Sequence, residues 1–250
     1  MTTLVSIDLN CDMGEFESVR DAELDLAIMP HISRCNIAVG GHAGNSSTIK
    51  FCFEHAAKRN LHIGLHPSYS DKDNFGRAVL DQPWDKTATG LIRQIELGFT
   101  LAESCAVKLS HIKLHGALYN QVEIDHELAD NVADVLQHYD LAVLGMAHGQ
   151  LQTACSERGI SFIREAFIDR RYANLSQLQP RQEYGAVFSQ QQDTVHQAVA
   201  IATHKPIKSV AGEELIISAD SLCIHSDTPN AMQFLLAVKK QFLTHGIVTK

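Results

Sequence analysis

Six short polar signatures punctuate this chain, each at the end of an apolar run. They are Asp8-Leu-Asn10-Cys-Asp12-Met-Gly-Glu15, Gly41-His42-Ala-Gly44-Asn45, Gly64-Leu-His66-Pro67, Lys113-Leu-His115-Gly-Ala-Leu-Tyr119, Glu165-Ala-Phe-Ile-Asp169-Arg170 and His225-Ser-Asp227. Strand alternation points Asp8, Asn10 and Asp12 to one side, and Glu15, after the turn at Gly14, adds a fourth polar group. Buried acids carry a free-energy cost unless they bind a cation, pair with a base or take up a proton. The competing reading makes these side chains caps for the next helix. His42 and His66 with Asp12 form an Asp/His/His set, which suits a divalent ion with an open position. Equally, the imidazoles suit acid and base chemistry without metal.

Lys113 and His115 alternate onto one face, so an ammonium and a titratable imidazole emerge together. A lysine on a buried strand must pair, here with Asp8, Asp12 or Glu165, or bind a substrate anion. Glu165 is a base candidate, Asp169 and Arg170 add an anion clamp, and His225 and Asp227 complete the ring. Phe75-Gly-Arg77 offers a further guanidinium, and Tyr119 and Asn120 further hydrogen bonds.

Such groups act together only if the fold brings them to one rim. Short β-rich runs at 5–9, 36–39, 63–65, 111–114, 142–144, 162–164 and 222–224 alternate with helical stretches at 47–59, 84–106, 127–138, 151–158, 194–203 and 231–243. Ser46 or Ser47 fits an N-cap, and Pro229 fits the opening turn of the last helix. The strands read as near-continuous apolar runs, the pattern of strands covered on both faces by crossover helices. About seven repeats predict an α/β fold and favour a closed or nearly closed parallel (β/α) barrel, with its chemistry at the carboxyl ends of the strands, over a doubly wound open sheet, which would split the sites around a crevice. The polar segment 170–189 is long enough to be a lid or binding loop, and 206–217 reads as a short strand-rich excursion.

The 250 residues carry no linker-like stretch, so one domain over 1–250 is expected. A formal charge of −8 gives no electrostatic reason to bind nucleic acid or an anionic membrane. No secretion signal or membrane-length apolar run occurs, and the six cysteines are scattered without a C-x-x-C pair, which predicts a reduced, cytoplasmic protein. Walker-type, Gly-x-Gly-x-x-Gly and Gly-x-Ser-x-Gly motifs are absent.

In combination and in order, these signatures resemble the LamB/YcsF family, which supplies the A subunit of ATP-dependent 5-oxoprolinases. The likeness runs from Asp8 to the last helix. It implies a seven-stranded parallel (β/α) barrel of the glycoside hydrolase/deacetylase type and the ATP-driven cleavage of 5-oxoproline (pyroglutamate) to L-glutamate with subunits B and C. ATP would serve as co-substrate, with magnesium, in the complex. On this reading Asp12, His66, Lys113, His115 and Glu165 are catalytic. Asp8, Asn10, Glu15, His42, Arg77, Asp169, Arg170, His225 and Asp227 contact substrate, with Asp12, His42 and His66 as a metal set. Asn45, Gly41, Leu114 and Ser226 stand where the family usually has Asp, Phe, Pro and Gly. The residues alone leave two alternatives open: a metal-dependent amide or N-acetyl-sugar deacetylase, and a non-catalytic substrate-binding subunit.

Overall fold

The structure, a computed structural model, describes residues 5–249, and the part of the N-terminal reading that concerns residues 1–4 lies outside them. Strands β1 (Val5–Met13), β2 (Arg34–Ala38), β3 (His62–His66), β4 (Leu109–Lys113), β5 (Ala142–Met146) and β6 (Phe162–Phe167) pair in parallel, each beside its successor. Two small hairpins follow, β7 (Tyr172–Asn174) with β8 (Gln177–Leu178), and β9 (Ile207–Lys208) with β10 (Glu214–Leu215). Strand β11 (Ser221–Cys223) then lies parallel between β6 and β1 and closes a seven-stranded barrel, as expected. A strand the sequence did not signal, β12 (Ile247–Thr249), adds to the first residues of β1.

Helices α1 (Glu23–Ile28), α2 (Ser46–Ala57), α3 (Trp84–Ser104), α4 (Gly116–Val122), α5 (His126–Leu136), α6 (Gln150–Glu157), α7 (Gln191–Ala202) and α8 (Ala231–Thr244) accompany the strands. The short helices α1 and α4 lack a clear apolar periodicity, so no sequence pattern signals them. Two cap expectations are corrected. Asn45 caps α2, its Oδ1 accepting from the amides of Ser47 and Thr48 while Thr48 returns the bond, a reciprocal box that leaves Ser46 and Ser47 inside the helix. Asn230, at φ 64°, caps α8, so Pro229 precedes the cap and does not open the helix.

The expectation of continuous apolar strands is also corrected, because the strands alternate. Along β1, Ile7, Leu9, Cys11 and Met13 join the apolar core while Asp8, Asn10 and Asp12 enter the polar network inside the barrel. That interior is a stack of hydrogen-bonded polar layers. At its base Asp8 receives Arg34 Nε at 3.1 Å and Ser221 Oγ at 2.7 Å. Above it Asn10 Nδ2 donates to Ser221 Oγ, and Asn36 Nδ2 donates to both Asn10 Oδ1 and Asp12 Oδ1. His111 Nε2 closes the middle layer on Asn36 Oδ1 at 2.7 Å, in room left by Gly64, where a Cβ would overlap the His111 ring. These mutual hydrogen bonds offset the desolvation of the buried groups and make a polar barrel interior tenable.

One buried carboxyl lies outside these layers. Glu123, after α4, accepts the Met146 amide on Oε1 at 3.0 Å, its Oε2 has no partner among the described residues, and burial pushes it up to about 8. A raised carboxyl stabilises the fold below its ordinary value, and that contribution is lost as pH climbs through about 8. Glu123→Gln should therefore match the parent near pH 5 and exceed it at pH 9 by about 1–3 kcal/mol, the cost of burying an unsatisfied group. Urea melts at both pH values check this; a variant weaker at pH 9 would contradict it.

Candidate active site

The uppermost interior layer opens into a cavity of about 320 Å³ at the carboxyl ends of the strands. Asp12, His66, Lys113, His115, Arg77, Arg170 and His225 line it, with Tyr119, Phe167 and residues 176–182 of the long insertion as further walls. Distant signatures thus converge on one rim.

At the floor, Lys113 is fully buried. Its Nζ donates to Asp12 Oδ1 at 2.8 Å and to Cys223 Sγ at 3.3 Å. Glu165 Oε1 lies 2.9 Å from the same ammonium and forms a second ion pair with it. Glu165 Oε2 accepts from the Tyr119 hydroxyl at 2.9 Å. Burial opposes the Lys113 charge, yet Asp12, Cys223 and Glu165 outweigh it and hold the ammonium well above its usual range. Likewise burial opposes the Asp12 charge, and His66 with Lys113 hold that carboxyl well below the carboxylate range. Lys113 and Asp12 are therefore an ion pair throughout the physiological range.

Beside this pair stand three imidazoles. His66 Nε2 lies 3.3 Å from Asp12 Oδ2 and 3.0 Å from His115 Nδ1. His42 stacks on His115 with ring centres 3.6 Å apart, and its Nε2 is 2.9 Å from Glu15 Oε1. Burial pushes His42 down to about 3 and His115 well below the imidazole range, while burial and the Asp12 charge push Glu15 up to about 7. Glu15 and His42 sit behind the cavity wall. Of the residues expected from sequence to share an ion, His66 adjoins Asp12, while His42 faces Glu15 and stacks on His115.

Several expected contacts fall elsewhere. Asp8 and Asn10 lie in the lower interior layers and do not reach the cavity. Asp169 lies beneath the mouth, accepting from the His225 amide at 3.1 Å, from its Nδ1 at 3.0 Å and from Thr228 Oγ1 at 2.6 Å. Burial raises this carboxyl, but the His225 charge and these hydrogen bonds win and hold it at about 2. A depressed carboxylate contributes stability above its ordinary value that is lost as pH falls through about 2. Asp169→Asn should cost about 2 kcal/mol at pH 7 and flatten the acid limb of a melting-temperature profile between pH 4 and 2. An unchanged acid limb would remove that role.

Asp227 bridges the rim, accepting from Arg77 on one oxygen and Arg181 on the other, both at 2.6 Å. Arg181 escapes a sequence reading, being one of three arginines in the polar insertion with no motif around it. Ser68 and Cys223 escape too, since a serine after a proline and a cysteine in an apolar run carry no distinguishing pattern.

A model of the LamB/YcsF family matches residues 7–250. A protein of Tolumonas auensis, named as the A subunit of 5-oxoprolinase, is 33% identical over 249 residues, covering 99% of each chain. The crystal structure of the lactam utilization protein from Thermus thermophilus matches with a TM-score of 0.89 at 27% identity, covering 98% of this chain and 99% of that one. With a family match across nearly the whole chain, and the family's motifs gathered at one cavity, this protein belongs to the LamB/YcsF family.

Proposed function

We propose that this chain is the A subunit of an ATP-dependent 5-oxoprolinase, a hydrolase that opens the cyclic amide of 5-oxoproline to give L-glutamate. Residues 1–250 act as one barrel domain, in the cytoplasm, with subunits B and C. Among the described residues no helix is long and apolar enough to cross a membrane.

One observation carries the reading: two buried cations, Lys113 and Arg170, border one small cavity. The Lys113 ammonium is held by Asp12, Glu165 and Cys223 at 2.8, 2.9 and 3.3 Å. Arg170 donates to the Gln179 carbonyl at 2.7 Å, while its Nε is buried without a partner among the described residues. A carboxylated lactam offers two matching ends, the carboxylate for Arg170 and the ring oxygen for Lys113. The mechanism follows from why such a ring resists water: its amide is unstrained and its nitrogen leaves poorly. Transfer of the terminal phosphoryl group of ATP to the lactam oxygen releases ADP and activates the carbon. Water adds to that carbon, yielding a proton to Asp12, His66 or His115 at the cavity wall. The C–N bond then breaks as the nitrogen takes a proton, and a second water hydrolyses the resulting acyl phosphate to glutamate and phosphate. Lys113 stabilises the negative charge of the phosphoryl group as it arrives on the lactam oxygen.

Val79 and Ile124 line the same cavity and are 62% and 55% exposed, an apolar rim suited to a docking subunit. Release of glutamate from 5-oxoproline, with ATP and with subunits B and C present and absent, tests the assignment. Turnover should require the full mixture, and none in the full mixture removes the assignment.

A further inference from the structure

Glu15, His42, His66 and His115 present donor atoms that all lie within 4.8 Å of one another. We propose that they bind one divalent transition-metal ion, with Glu15, His66 and His115 as the primary ligands. The proposal does not rest on the lactam reading, because its evidence is the direction of hydrogen bonds, and with the ion bound Asp12 is the proton acceptor of that reading.

The outward nitrogen of each ring is committed to an oxygen. His66 Nδ1 is 2.8 Å from the Lys113 carbonyl and His115 Nε2 is 3.0 Å from the Phe75 carbonyl. A carbonyl only accepts, so both of these nitrogens carry the proton. His42 Nδ1 is 3.0 Å from Ser68 Oγ, whose own proton goes to the Tyr69 carbonyl at 2.7 Å, so His42 Nδ1 is a donor as well. In the neutral rings that a metal ion requires, His42 Nε2, His66 Nε2 and His115 Nδ1 all turn lone pairs inward. In that state His66 Nε2 and His115 Nδ1 face each other at 3.0 Å with no proton between them. Glu15 Oε1 adds a further electron pair at 2.9, 4.0 and 3.3 Å from the His42, His66 and His115 nitrogens. Four electron-rich atoms converging in a buried place require positive charge between them.

The donor set selects the ion. Three imidazoles and one carboxylate suit zinc or cobalt, whereas calcium and magnesium prefer oxygen donors. A tetrahedral zinc ion with bonds of about 2.0–2.1 Å holds its ligands about 3.4 Å apart, inside the range of separations here. The outward hydrogen bonds fix ring orientation and tautomer, as the outer partners of metal-bound histidines do. His42, parallel to His115 within 5°, completes the set by tilting off that stack. A second convergence, of Asp12, Cys223 and His225, is different: the Lys113 ammonium already donates to the first two, so a cation is present there.

The test uses the full chain, stripped with a chelator and titrated with cobalt(II) alone. The expected result is visible absorption saturating at about one ion per chain. Glu15→Gln, His66→Gln and His115→Gln should each weaken uptake at least tenfold, while Cys223→Ser leaves it unchanged. X-ray absorption of the zinc-loaded parent needs no variant, and should show nitrogen and oxygen neighbours with two or three imidazoles and no sulfur. Absence of saturable uptake below about 1 mM, sulfur at the metal, or fewer than two imidazoles overturns the proposal and leaves protons as the charge that holds the cluster.

Discussion

Lys113→Met is expected to lower lactam turnover by about 10²–10³, mainly in kcat, while leaving the KM for lactam within a few-fold. The size follows from removing one cation beside a phosphoryl group that reaches the lactam only as the reaction proceeds. The same change strips the counter-ion from Asp12 and Glu165, which lie 2.8 and 2.9 Å from the ammonium and are both buried. Breaking a buried ion pair from one side costs about 3–5 kcal/mol, because the remaining charge has no compensation. Stability should therefore fall alongside activity, and the two effects need separating. Adding Glu165→Gln to Lys113→Met removes one of the stranded charges and should recover part of the lost stability. It should recover none of the activity. Steady-state assays of the reconstituted complex, with urea melts of the isolated chain, distinguish these outcomes. Full activity in the single variant would show that Lys113 serves the fold alone.

The coupling of stability and chemistry at Lys113 explains what is legible in the sequence. A lysine or an aspartate in a buried strand is costly, so its presence announces a site even without a structure. That reasoning finds Asp12, His66, Lys113, His115 and Glu165, which the barrel gathers within one connected network. It overreaches at Asp8 and Asn10, because the same cost can be met by other side chains lower in the barrel. Asp8 is satisfied by Arg34 and Ser221, and Asn10 by Ser221 and Asn36. Those partners lie at separations of 26 or more residues that no local pattern encodes. The same cause shortens the predicted first strand. Polar residues at positions 10 and 12 read as the end of an apolar run, yet β1 continues to Met13 with those side chains turned inward. Closure depends on a three-residue strand, β11, whose parallel pairing with β1 and β6 is set by the whole barrel. Asn45 shows the opposite case. Read as a departure beside His42, it proves to be the helix cap, its Nδ2 also donating to the Glu17 carbonyl at 2.9 Å. Glu15 is placed by its motif, but its neighbours are not: the turn at Gly14, φ 73°, sets it beside His42 and His115.

Arg170→Ala should act on binding where Lys113→Met acts on turnover. The guanidinium is 6% exposed, borders the cavity, and holds a buried Nε with no partner among the described residues. Burial lowers its affinity for a proton, although Asp169 works in the opposite direction, so the group stays charged at any working pH. An anionic substrate group would satisfy that donor and the charge together. Hydrogen bonds to a charged partner contribute about 1.5–3 kcal/mol, which corresponds to a rise in KM for 5-oxoproline of about 10- to 150-fold. Because the contact is the same before and during the reaction, kcat should change far less. Arg170 also ties the insertion down through the Gln179 carbonyl, so a loosened loop would mimic the effect. Comparing 5-oxoproline with the same lactam lacking its carboxylate separates the two causes. If Arg170 binds the carboxylate, parent and Arg170→Ala should handle the truncated lactam alike. If the residue only holds the loop, the variant should lose as much on the truncated lactam as on the acid, and the carboxylate contact would be refuted.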